Sequence, residues 1–298
     1  MVVNASEGIR QDGARAGADG RALQRARTVI WHDLECGSYA ADLPLWRELA
    51  CDAGAASGPG AAPGPGAAPR AGAPPTPGAP PAPAAVLDVG AGSGRVALDL
   101  ARHGHRVTAL DLDAELLGAL RERAGGMELE TVRADARTFA LERHDFALCI
   151  APMQTIQLLG GAAGRREFLR RARAHLAPGG VLACAIVTDI DAFDCYAGDL
   201  GPSPEVAHID ETSFISRATR VQLGRRVVRI ERERSVLAPT RAGARARPAT
   251  ERDVVELDRV SVAQLQREGR EADLASAGTR VIAATEEHTA SIAVIFHA

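Results

Sequence analysis

Residues 86–98 read VLDVGAGSGRVAL. A short apolar run carries one aspartate, Asp88; glycines follow at alternate positions, Gly90, Gly92 and Gly94, and then apolar residues at helical spacing. That order predicts a strand, a tight turn and a helix, with a turn bare enough of side chains for a ligand to lie against the backbone. Two phosphate-binding patterns begin in the same way, and both fail. A dinucleotide turn counted from Gly90 needs its third glycine at position 95, where Arg95 stands. A phosphate loop closes on a lysine, and all 35 basic residues of this chain are arginine.

The next two strand ends carry the complementary chemistry. Asp111 closes the apolar run in VTALDLD (107–113), where a carboxylate accepts hydrogen bonds from a ribose diol. Leu112 follows it and can pack on an adenine face. In RADART (133–138) Asp135, beside Ala136, can accept from an adenine amino group. The set describes a nucleoside held without its phosphates.

Working outward, apolar runs at 85–89, 106–111, 128–133, 145–151 and 180–187 alternate with helical patterns at 94–103, 113–124 and 165–176. This alternation predicts an α/β fold, a doubly wound and mostly parallel sheet covered on both faces. Pro178-Gly179-Gly180 is expected to end the helix 165–176 and feed the next strand. After residue 188 the pattern changes: 225–237 and 253–260 alternate apolar and charged residues, as antiparallel strands with one wet face do. Ser261 is expected to cap a helix reaching about Leu274, and two last strands fall at 279–285 and 290–296, for seven strands in all.

Composition marks the domain edges. Residues 1–20 are polar, glycine-rich and expected to be disordered; 21–53 form an N-terminal helical segment. Between 54 and 84 lie ten of the seventeen prolines, among little but alanine and glycine, and such a stretch cannot bury enough apolar surface to fold. It reads as a flexible insertion ahead of the main domain, 85–298, whose segment at about 189–260 forms an antiparallel insertion on the substrate side. A second loose stretch covers 238–250.

In its motifs the chain resembles the class I S-adenosylmethionine-dependent methyltransferases of small-molecule type. VLDVGAGSGRVALDLARHGHRVTALDLD (86–113) resembles their first two motifs, RADART their adenine-contact motif, and FLRRARAHLAPGGVLACAIV (168–187) their late helix and fifth strand. The resemblance covers 31–50 and 85–298. It implies a Rossmann-like seven-stranded fold and S-adenosyl-L-methionine as cofactor. Gly90, Gly92 and Gly94 would approach its methionine part, and Asp88 would organise the turn and orient the amino group. Asp111 would bind ribose, Asp135 and Ala136 would frame adenine, and the Ala151 carbonyl would meet the methionine amine. Tyr39 stands where the family often sets an aromatic over the cofactor.

The motifs specify the cofactor and not the acceptor. A formal charge of −3 without a basic stripe counts against DNA or RNA as partner. Asp/Asn-Pro-Pro-aromatic, which resembling enzymes carry when they methylate bases, is replaced by APMQ (151–154). A small-molecule methyl acceptor, at N or O, is therefore the expected partner; a protein or RNA methyltransferase and a non-catalytic cofactor-binding protein are the alternatives. Candidates on the acceptor side are His32, Gln154 and His208, whereas His103, His105 and His144 read as ordinary surface residues. Asp189, Asp191 and Asp194 are spaced as in an ordinary capped loop, and no metal is expected. RIERER (229–234) reads as the outer face of a strand pair. Five scattered cysteines without a CxxC pair, no long apolar run and no leader-like N-terminus point to a cytoplasmic protein away from membranes.

Overall fold

A computed structural model describes residues 27–56, 82–238, 249–286 and 288–298. The expected disordered terminus 1–20, most of the proline-rich insertion (57–81) and most of the second loose stretch (239–248) lie outside the described residues.

The main sheet has seven strands: β1 (Ala85–Val89), β2 (Arg106–Asp111), β3 (Leu129–Arg133), β4 (Phe146–Ala151), β5 (Leu176–Ile186) and two late strands, β11 (Ala275–Ile282) and β12 (Ser291–His297). Their order is β11-β12-β5-β4-β1-β2-β3. The first five are mutually parallel, and β12 alone runs against its neighbours β5 and β11. The chain winds outward from β1 through β2 to β3, then crosses to β4 on the other side. The strand order therefore reverses between β1 and β4, and open α/β sheets take ligands at the carboxyl ends of such strands.

Alternation within the central strands builds two cores. Val86, Leu148 and Ile150 face a layer with Trp46 of α2 (Leu43–Ala56), Ala97 and Leu100 of α3 (Arg95–Arg102) and Leu117 and Leu120 of α4 (Ala114–Ala124). Leu87, Val89 and Cys149 face Phe168 and Leu169 of α5 (Gly161–His175) and Leu265 of α6 (Val262–Arg270). The first helix, α1, spans 27–32 and continues as a π-helical turn over Asp33–Gly37. Side-chain caps fix two helix starts: Asp113 Oδ1 accepts from the Glu115 and Leu116 amides, and Ser261 Oγ from that of Gln264.

The antiparallel insertion forms a second sheet: β6 (Phe193–Asp194), β7 (Glu205–Ile209), β8 (Thr212–Leu223), β9 (Val227–Leu237) and β10 (Ala249–Asp258), in the order β10-β9-β8-β6 with β7 also on β8. Gln157 roots it to the main domain. Its amide exchanges two hydrogen bonds with the Val187 backbone and gives a third to the Asp258 carbonyl, at 2.8–3.1 Å. Asp258 also receives Arg165, a fully buried guanidinium whose Nε and Nη2 both donate to Glu268.

Four sequence expectations change. The chain is extended from Leu176, so Pro178-Gly179-Gly180 lies within β5, where the C-terminal Ala298 pairs with Gly179 and Gly180. Helix α5 begins at Gly161, earlier than the sequence suggests, and α6 ends at Arg270, short of the expected Leu274. The periodicity at 225–260 marks β9 and β10 and misses β8, twelve residues long. RIERER is no outer face: Arg232 reaches Glu205 and Ser216, and Arg234 grips Glu35 of α1 through two hydrogen bonds at 2.7 and 2.8 Å. The partner carboxylate lies some two hundred positions earlier, beyond reach of any local pattern.

Candidate cofactor and acceptor site

A cleft of about 520 Å³ opens where the sheet order reverses. Gly90 and Ala91 from the end of β1, Asp111 and Leu112 from β2, Asp135 and Ala136 after β3, and Pro152–Thr155 after β4 line it, and His32 and Cys36 of α1 close one side. The turn is built for close approach. Gly90, Gly92 and Gly94 all have positive φ, at +74°, +55° and +98°, a region that favours glycine. The Gly90 and Ala91 amides donate to the Leu110 carbonyl and that of Gly92 to Asp111 Oδ2 at 2.8 Å, which ties the turn to the tip of β2. The other Asp111 oxygen accepts from the Asp113 amide at 2.9 Å.

The three glycines serve different neighbours. A Cβ on Gly90 would lie 2.5 Å from Thr155, one on Gly92 2.3 Å from His32 Nε2, and one on Gly94 2.1 Å from Leu120 Cδ1. Gly90 lines the cleft, Gly92 lies under α1, and Gly94 is a packing glycine between the turn and α4.

Asp88 is the unusual group. It is 1% exposed, it borders the cleft, and neither carboxylate oxygen has a hydrogen-bond partner among the described residues. Burial pushes its pKa up to about 7; Arg95 and the Ala97 amide work against that shift, and the carboxylates of Asp111 and Asp42 add to it. A buried carboxylate without a donor is costly, and a cationic group in the cleft would supply what it lacks. Asp135 is the opposite case: the Arg137 guanidinium, with the Arg137 amide, holds its carboxyl down to about 2.

Of the residues singled out in the sequence, the cleft gathers His32, Asp88, Gly90, Asp111, Leu112, Asp135, Ala136 and Gln154. Tyr39 is not among its walls. Its ring packs at a tilt against His288 with centroids 4.7 Å apart, and the Arg95 guanidinium lies 5.1 Å from its centroid. His32 and Cys36 of the same segment line the cleft. Ala151 is buried in β4, paired in register with Cys184 of β5. His208 stands exposed on β7, hydrogen-bonded to Ser213 Oγ at 3.0 Å, outside the cleft walls. Asp194 caps a short turn through the Tyr196 amide and pairs with Arg220. No cluster of three or more metal-ligating side chains occurs among the described residues.

Sequence reasoning missed Ser93 and Arg95. Arg95 stands where the dinucleotide pattern would have glycine. Its guanidinium binds the Asp42 carboxylate and the Tyr39 carbonyl and so fastens the N-terminal segment behind the turn.

Comparison with known proteins agrees with this geometry. A methyltransferase-domain family model matches residues 86–180. Over 123 residues the chain is 33% identical to a probable cobalt-precorrin-6B C(15)-methyltransferase (decarboxylating) of Methanothermobacter thermautotrophicus; the match covers 39% of this chain and 59% of that protein. Among solved structures, the sugar N-methyltransferase KedS8 from Streptoalloteichus sp. superposes with a TM-score of 0.61 at 15% identity, covering 89% of this chain and 90% of that one. The amino pentose methyltransferase CalS10 from Micromonospora echinaspora, solved with S-adenosylmethionine bound, gives 0.53 at 23%, covering 71% and 83%. At such identities the structural likeness is one of fold. Strand order, glycine turn and the match over residues 86–180 agree: this part of the chain is similar to methyltransferase domains, and the whole shares the fold of S-adenosylmethionine-dependent methyltransferases.

Proposed function

We propose that the protein transfers a methyl group from S-adenosylmethionine to an N or O atom of a small molecule. The unpartnered, buried Asp88 carboxylate beside the glycine turn carries this reading, because the amino group of the cofactor's methionine is the cation it lacks. Asp111 would accept from the ribose hydroxyls with the lone pairs its backbone donors leave free. Leu112, 63% exposed at the cleft mouth, would cover the adenine beside Asp135 and Ala136. The open backbone of Gly90 would admit the methionine chain. Once bound, the cofactor supplies a methyl carbon already activated by a sulfonium, so the chain's own work is alignment and exclusion of water.

The insertion sheet packs on α1 through Glu35–Arg234 and Trp31–Phe214, next to a smaller cavity that His32 shares with the cleft, and this supports a compact acceptor pocket. The relatives named as sugar and amino pentose methyltransferases support an acceptor of that size. No helix among the described residues is long and apolar enough to cross a membrane. All five cysteines are unpaired thiols, which supports a reducing, cytoplasmic setting. Isothermal titration with S-adenosylmethionine and with S-adenosylhomocysteine tests the cofactor reading: micromolar binding of both is expected, and binding of neither overturns it.

A further inference from the structure

A chain of polar contacts climbs from the glycine turn into α1. Asp33 receives both terminal nitrogens of Arg123 from α4, with Nη1 at 3.0 Å and Nη2 closer, and the Ser93 hydroxyl at 2.6 Å. Burial pushes the Asp33 carboxyl up, but the nearby His32 ring and the hydrogen bonds from Arg123 and Ser93 outweigh it and hold the group well below the usual carboxylate range. Asp33 is therefore ionised and can only accept. The one hydroxyl proton of Ser93 is committed to it, and Ser93 Oγ turns a lone pair toward His32 Nδ1 at 3.1 Å. In the neutral ring Nδ1 then carries the proton, and Nε2 carries the lone pair.

Nε2 makes no hydrogen bond among the described residues. It lies over Gly92, within the space a Cβ there would fill. The His32 ring borders two cavities at once. One is the cofactor cleft; the other, about 290 Å³, lies between α1 and the insertion sheet, bounded by Trp31, Glu35, Arg234 and Glu251. A group at that junction is where a methyl donor in the first cavity would meet an acceptor in the second.

Building on the cofactor reading above, we propose that His32 is the catalytic proton acceptor, positioned by Ser93 and Asp33, for a small hydroxyl or amine compound entering from beneath the insertion sheet. The acceptor's lone pair forms the new bond to the methyl carbon. The carbon–sulfur bond breaks with its electron pair left on sulfur, and the acceptor's proton passes to Nε2 and from there to solvent. The imidazolium so formed lies with Nδ1 4.0 Å from Asp33 Oδ1. The other charged or titratable groups around the ring are Arg123 from α4, already paired with Asp33, Asp111 across the Gly92 amide, Arg27, Glu35 and Cys36 on α1, and Arg234 and Glu251 from the insertion sheet.

The test joins a spectroscopic and a kinetic readout on the full chain. With 15N-histidine labelling, His32 is expected as the Nδ1–H tautomer in the wild type and as a mixture in Ser93→Ala. With a panel of amino sugars, amino alcohols and catechols, His32→Gln is expected to lower S-adenosylhomocysteine release by about 10²-fold or more while S-adenosylmethionine affinity changes only a few-fold. Added imidazole should restore part of the activity of His32→Ala. A wild-type Nε2–H tautomer, undiminished turnover in His32→Gln, or loss of cofactor affinity in that variant each overturns the proposal. A wild type that binds no S-adenosylmethionine overturns the cofactor reading instead, and the tautomer measurement still judges the Ser93–Asp33 relay.

Discussion

Arg95 and Asp42 form a two-armed pair behind the glycine turn, Nη1 and Nη2 each donating to one carboxylate oxygen at 2.5 and 2.7 Å. The side chains are 10% and 1% exposed, and Asp42 also accepts from the Trp46 indole. Breaking a buried pair strands the surviving charge, so Arg95→Ala should cost about 3–5 kcal/mol. The double variant Arg95→Leu/Asp42→Asn should recover much of that loss. Urea unfolding measures both; a single-variant loss below about 1 kcal/mol would show that the pair does not hold the N-terminal segment.

What the sequence disclosed and what it withheld divide along range. The strand–turn–helix at 86–98, the acidic end of β2 and the alternation through β5 are local patterns, and the main sheet follows from them. The walls of the cleft at Gly90, Asp111 and Asp135 were legible for the same reason, since each closes a local motif. The N-terminal and insertion contacts were not. Glu35 meets Arg234, and Asp33 meets both Ser93 and Arg123, across separations of 60 to 199 positions. No periodicity encodes such pairings. Tyr39, the aromatic the sequence pointed to, instead packs against His288 and Arg95 and does not line the cleft.

Asp88 gives the cofactor affinity a pH dependence of definite sign. Its folded pKa, about 7, lies above the ordinary aspartate value, so below about pH 7 the carboxyl is protonated and cannot compensate a cation. The same raised value means that this group's contribution to stability is present at low pH and is lost as pH rises toward 7, where a bound cation would restore it. S-adenosylmethionine affinity should therefore rise from pH 6 to 7.5, by up to about tenfold per unit at the acidic end. Asp88→Asn should flatten that slope in a calorimetric series, and an unchanged slope would remove Asp88 from the amino-group site.

Asp111 has two duties, and its variants can separate them. Asp111→Ala removes the expected ribose acceptor and also leaves the Gly92 and Asp113 amides without their partner. A charge-assisted hydrogen bond is worth about 1.5–3 kcal/mol, so cofactor binding should weaken by about 10- to 100-fold, with a measurable loss of stability. Asp111→Asn keeps an acceptor for one amide and should recover stability more fully than affinity. Unchanged affinity in the alanine variant would remove Asp111 from the cofactor site.

The last prediction concerns the chain on either side of residues 57–81. Gly54 near the end of α2 lies so close to the segment leading into β1 that a Cβ on it would stand 2.0 Å from the Ala82 carbonyl oxygen. Ala84, 1% exposed, donates its amide at 3.2 Å to Nδ1 of His105, which is buried here and not at the surface as the sequence suggests. The folded body thus fixes both ends side by side, and 54–56 and 82–84 belong to it although their composition resembles the intervening stretch. Loop-closure cost grows only logarithmically, so replacing about 25 residues by a linker of about 8 should change stability by only about 1 kcal/mol, in favour of the shorter chain. Deleting 54–84 entire should instead destabilise strongly, because the Gly54 contact and the Ala84 anchor go with it. Gly54→Ala should do the same in the intact chain, since backbone and not a flexible side chain occupies the space. Comparison of urea midpoints for the three variants decides this; a large loss on removing 57–81 alone would show that those residues carry part of the fold's stability.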